Sequence, residues 1–101
     1  MKLGNRIKEL RENQGLLQRH LSADLEIDTP MFSKIERGER KAKREQVLKL
    51  AELLKADEKE LLTMWLGDQI MEIITDEEQA LQALKMATND IKENNKNKDS
   101  E

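Results

Sequence analysis

Thr29, Ser33, Lys34 and Arg37 fall within one stretch of nine residues, and Arg40, Lys41, Lys43 and Arg44 follow within the next seven. Their side chains are hydrogen-bond donors and fixed cations, suited to gripping acceptor atoms and negative charge rather than to breaking bonds. Residues for catalysis are not assembled. His20 is the one histidine, and without a cysteine or a second histidine it makes no zinc set. The sequence brings together no Ser/His/Asp set and carries no glycine-rich phosphate loop. The Glu77-Glu78 pair is better explained by helix capping than by acid–base work. The expectation is recognition without enzymatic activity, cofactor or metal.

Something must hold those donors in place. Leu21 and Leu25, with Ala23 beside them, mark one short amphipathic segment; Met31, Phe32 and Ile35 mark a second. Only Glu26, Ile27 and Asp28 separate them, too few for a free loop, so the two helices must cross steeply as a helix-turn-helix. Asp28 is a suitable N-cap for the second helix, Pro30 sits in its first turn where a missing N–H costs little, and Gly38 ends it. In such a motif the second helix lies in the major groove of double-stranded DNA. That expectation aims Thr29, Pro30, Ser33, Lys34 and Arg37 at base edges. Lys34 can donate to guanine O6 or N7, and Thr29 can hydrogen-bond or touch a thymine methyl. Pro30 offers apolar contact alone, which leaves much of the specificity to Lys34, Arg37 and DNA shape. The basic loop 38–43 should lie over the phosphate backbone.

From Leu3 to Leu62 the chain resembles the lambda-repressor-like, Cro-type (XRE) family of DNA-binding domains. The resemblance is carried by Ile7-Lys8-Glu9-Leu10-Arg11, Gly15-Leu16, Gln18, Leu21-Ser22-Ala23-Asp24-Leu25, Ile27, Ile35-Glu36-Arg37-Gly38-Glu39-Arg40 and Val47-Leu48-Lys49-Leu50-Ala51-Glu52-Leu53-Leu54. It implies base-edge contacts from Thr29, Pro30, Ser33 and Lys34. It implies that Gln18 binds a phosphate and braces the recognition helix. It also implies that Glu36 is a structural acid, with Arg11 or Arg40 as its partner. Arg40, Lys41 and Lys43 are the backbone contacts it suggests, with Arg11 and Arg19 as further phosphate candidates. The chain departs from the pattern at Glu26, where most relatives have a small residue, often Gly, and at Leu17, where most have a Ser or Thr cap.

Composition agrees with an all-α chain. One Trp, one Phe and no Tyr leave Leu, Ile, Met and Ala to build the core, and one proline with four glycines is little turn material for a β architecture. The absence of cysteine fits a reducing cytosol, and the expectation is a cytoplasmic protein without a membrane span or signal peptide. The net charge of −3 argues against a nucleic-acid partner until it is divided along the chain. Residues 1–44 hold 11 Lys and Arg against 7 Asp and Glu, whereas residues 45–101 hold 7 against 14. A basic front joined to an acidic back suits a DNA-facing domain followed by an interaction segment.

The domain organisation expected is a five-helix, helix-turn-helix domain over residues 1–66, a helical extension over 67–94 and a disordered tail over 95–101. Asp57 with Glu60, and Thr75 with Glu78, read as capping boxes opening the fifth helix and the extension helix. Gly67 marks the boundary. Ile70, Ile73, Ile74, Leu81, Leu84 and Ile91 form an apolar stripe that a five-helix core does not need, and its expected use is dimerisation, since a two-fold partner doubles the contacts to DNA. Together these readings give a homodimeric transcription regulator on a two-fold operator. Its size and helical tail look similar to controller proteins of restriction–modification systems. The alternative is an antitoxin-type module whose acidic C-terminal helix masks a partner toxin and which autoregulates its operon. A third reading is a coactivator that uses the fold to bind protein.

Overall fold

The structure is a computed structural model that describes the backbone of residues 1–99 and the side chains of residues 1–96. The described residues form six helices and no strand: α1 (Lys2–Asn13), α2 (Gln18–Asp24), α3 (Thr29–Glu36), α4 (Arg44–Leu54), α5 (Glu58–Ile74) and α6 (Ala80–Asp99). The all-α expectation holds. None of these helices is long and apolar enough to cross a membrane.

The chain divides into two compact units, Met1–Ile70 and the segment from Met71 onward. In the first, apolar residues recurring every three or four positions turn one stripe of each helix inward. Leu3 and Ile7 come from α1, Leu21 from α2, Phe32 and Ile35 from α3, Val47, Leu50, Ala51 and Leu54 from α4, and Leu61 from α5. Phe32, the one phenylalanine, is wholly buried. Leu48 is half-buried because the inward stripe of α4 runs through its neighbours.

Two features of α1 fix how this core closes. Gly4 is buried where α1 crosses α3: a Cβ there would stand 2.3 Å from the Glu36 carbonyl oxygen, so the crossing requires the bare backbone. Met1 offers no side-chain cap to α1. Asp68 of α5 supplies it instead, accepting from the N–H groups of Lys2 at 3.0 Å and Leu3 at 2.9 Å. The last helix of the unit thereby satisfies orphan donors of the first.

Several boundaries differ from expectation. Gly67 lies inside α5, which continues to Ile74. Asp57 does cap α5, accepting from Lys59 N–H at 3.1 Å, but Glu60 turns away from the box to take the Nε–H of Arg6 at 2.8 Å. Thr75 does not open the next helix. Its hydroxyl donates back to the Met71 carbonyl, so it serves the end of α5. Asp76 takes a left-handed φ of 70° in the turn that follows, and α6 begins only at Ala80. Residues 95–99 of the expected disordered tail continue α6, and residues 100 and 101 lie outside the described residues. In the second unit Ile73, Leu81, Met86 and Ile91 are exposed, with Ile73 at 75%, while Ile74 and Leu84 are half-buried.

Candidate nucleic-acid interface

α2 and α3 form the expected pair. Between them Glu26 adopts φ 59°, the left-handed conformation that makes so short a turn possible. Asp28 caps α3 by accepting from Met31 N–H at 2.7 Å, and Pro30 occupies the first turn. α3 has two distinct faces. Phe32, Ile35 and Glu36 point into the core, whereas Pro30 and Lys34 are exposed, Thr29 and Ser33 are half-exposed, and Arg37 follows them in the open. The leading turn of α3 is therefore uncovered by the rest of its unit.

The hydroxyls on that surface already have partners. Ser22 Oγ lies 3.3 Å from the Arg19 carbonyl, to which it can donate, and 3.0 Å from Thr29 Oγ1, a contact in which either hydroxyl can be the donor. Either way Thr29 keeps a lone pair and can still accept. Ser33 accepts from Arg37 Nη1 and keeps its proton. Arg37 also donates from Nε to Glu39 Oε2 at 2.8 Å, and its Nη2 stands 2.7 Å from the same oxygen in an ion pair. Lys34 makes no ion pair among the described residues.

Beneath this surface lies a buried charge pair. Arg11 Nε donates to Glu36 Oε2 at 2.7 Å and Nη2 to Oε1 at 3.2 Å, while Nη1 takes the Leu16 carbonyl at 2.9 Å. The hydrogen bond to Glu36 outweighs burial and raises the Arg11 pKa above its ordinary value, so the guanidinium stays charged. Gln18 Nε2 donates to the same Glu36 oxygen as Nη2, at 2.9 Å. Of the two partners considered for Glu36, Arg11 is the one present, and Gln18 is tied to the last turn of α3 as a brace must be.

The basic loop is less free than its composition suggests. Ala42 is buried, and its carbonyl accepts from Trp65 Nε1 at 2.7 Å, which pins the loop to α5. Arg44, grouped with the loop cations in the sequence, instead sits with its guanidinium 5.3 Å from the Trp65 ring centroid, a cation–π contact. Arg40, Lys41 and Lys43 remain exposed and form no ion pair among the described residues, as does Arg19 on α2. The structure thus brings Gln18, Arg19, Thr29, Pro30, Ser33, Lys34 and Arg37 together on the α2–α3 pair, with Arg40, Lys41 and Lys43 on the segment leaving α3.

His20 has a role that sequence reasoning missed. Leu17 has no capping side chain, and the imidazole Nδ1 of His20 accepts the Leu17 N–H at 2.9 Å. Gln46 does the same for Lys43 at 2.8 Å at the start of α4. In both cases the accepting residue lies three positions after the N-cap, the reach-back half of a capping box. Among the described residues no cluster of His, Cys, Asp and Glu is placed to hold a metal ion.

The sequence model of the helix-turn-helix domain matches residues 2–64, more than half of the chain. No curated protein and no solved structure matches it.

Proposed function

Because the chain belongs to the helix-turn-helix domain family, we propose that it is a sequence-specific transcription regulator of the Cro-type (XRE) branch, acting as a homodimer on a two-fold operator. The observation that carries this reading is the division of α3: its inner face locks into the core through Phe32, Ile35 and Glu36, and its outer face presents Thr29, Pro30, Ser33, Lys34 and Arg37. A helix held from behind and open in front suits the major groove. Lys34 and Arg37 are the principal base readers. Gln18, Arg19, Arg40, Lys41 and Lys43 contact phosphates on either side. Ile70, Ile73, Ile74, Leu81, Leu84 and Ile91 make the dimer surface, to which exposed apolar side chains on α5 and α6 lend support. The restriction–modification controllers remain an analogy of size and layout.

Selection of bound duplexes from a random pool tests this reading. The expected product is an inverted pair of half-sites with centres about one helical turn apart, together with a dimer mass in solution. Enrichment of no sequence, or of a lone asymmetric half-site by a monomer, would overturn it.

A further inference from the structure

Arg37 is the one proposed base reader with an acidic partner among the described residues. Glu39 Oε2 accepts a hydrogen bond from its Nε and lies 2.7 Å from Nη2 in an ion pair, and Ser33 accepts a hydrogen bond from Nη1. Nε and Nη1 each spend an N–H within the chain, Nη2 is held in the ion pair, and three of the five N–H donors remain for another acceptor. Both members of the ion pair are more than half exposed, 55% and 57%, so the pair is cheap to open. Glu39 follows the glycine that ends α3, and Arg40, Lys41 and Lys43 follow it. It is the lone acid in this basic run.

We infer that Glu39 is an affinity-setting residue that withholds Arg37 from DNA until a duplex is fully docked. This rests on the reading of α3 as the recognition helix. A loosely bound duplex, held by Arg40, Lys41 and Lys43, does not draw Arg37 off Glu39, and the carboxylate repels its phosphates. A duplex seated in register offers an acceptor to Arg37 and exchanges it for Glu39. A seated duplex must break this contact and a loosely bound one keeps it, so the contact lowers affinity for the operator more than for random DNA and narrows the gap between them. Glu39 touches no base in this scheme and acts through Arg37.

The experiment compares the full-length wild type with Glu39→Gln, Arg37→Ala and the double variant, on a random duplex and on the selected site, over a range of salt. Thermal unfolding should be unchanged in Glu39→Gln, since the pair is exposed. Affinity of Glu39→Gln for the selected site should rise about two- to fivefold, with a steeper salt dependence, and affinity for the random duplex should rise less. Adding Glu39→Gln to Arg37→Ala should bring a smaller gain than adding it to the wild type, because the contact that it relieves is gone. An unchanged or reduced affinity of Glu39→Gln, or an equal gain with and without Arg37, would overturn the inference while leaving the regulator reading intact. Failure of the wild type to bind any duplex would overturn both.

Discussion

Arg11 and Glu36 meet inside the domain at 2.7 Å, with 10% and 2% of their side chains exposed, and so tie the end of α1 to the last turn of α3. The attraction of such a pair is offset by the cost of stripping water from two charges. Removing one partner alone leaves the other buried and uncompensated. Glu36→Ala should therefore lose roughly 3–5 kcal/mol of stability, measured by urea unfolding. Replacing both residues with apolar ones of similar volume should lose far less. If Glu36→Ala and the double replacement unfold at the same urea concentration, the pair is not the brace described.

Much of this was legible in the sequence, and the reason is local. Asp28, Pro30 and Gly38 state where α3 starts and stops without help from distant residues, and each does in the structure what its type implies. The apolar spacing named Phe32 and Ile35 as core. Contacts between residues far apart in the chain were less readable. Nothing near Asp68 in sequence points to the N-terminus of α1, and nothing near Gly4 points to α3. The unbroken run of α5 through Gly67 was missed because a helix tolerates a single glycine at modest cost, about 1 kcal/mol against alanine. Glu26 stood out as a large residue in so short a turn, and its φ of 59° is the left-handed conformation that glycine adopts at less cost. Of the exposed cations, Arg44 alone stacks on Trp65, a pairing across 21 positions that charge patterning does not reveal.

Asp68 is buried, and both its oxygens accept backbone N–H groups at the start of α1. Asp68→Ala orphans Lys2 and Leu3 together and should cost about 1–2 kcal/mol. Asp68→Asn keeps one accepting oxygen and should fall between. Amide exchange at the first turn of α1 should speed up in the same order. Equal exchange in wild type and Asp68→Ala would show that the cap contributes nothing.

Gly4 and Gly67 both lie within helices, yet they should respond to alanine with opposite sign. Helical propensity alone favours alanine by about 1 kcal/mol. At Gly67 nothing beyond the neighbouring backbone of its own helix lies within 4 Å of the added methyl, so Gly67→Ala should gain up to that amount. At Gly4 the methyl meets the backbone of Ile35 and Glu36, with the nearest atom at 2.3 Å. Backbone in a packed crossing does not give way as a flexible side chain would, and overpacking costs roughly 1–3 kcal/mol. Gly4→Ala should be net destabilising in thermal unfolding. A higher melting temperature for Gly4→Ala would mean that α1 and α3 stand further apart than described.

Lys34 and Arg40 are both exposed cations, and the two proposed roles predict different losses on DNA. Lys34 stands on the outer face of α3, where an ammonium can donate to guanine O6 or N7. Lys34→Ala should cost roughly 1–3 kcal/mol on the selected site and relax preference at one base pair, with little loss on random duplex. Arg40 lies beyond Gly38, in a segment held down by Ala42 and Trp65. Arg40→Ala should weaken binding to every sequence alike and flatten the slope of affinity against salt by about one unit. Neither side chain is buried, so neither change should alter the unfolding free energy by more than about 0.5 kcal/mol. Equal losses from Lys34→Ala on selected and random duplexes would remove it from the bases, and an unaltered salt slope in Arg40→Ala would take the loop off the phosphates.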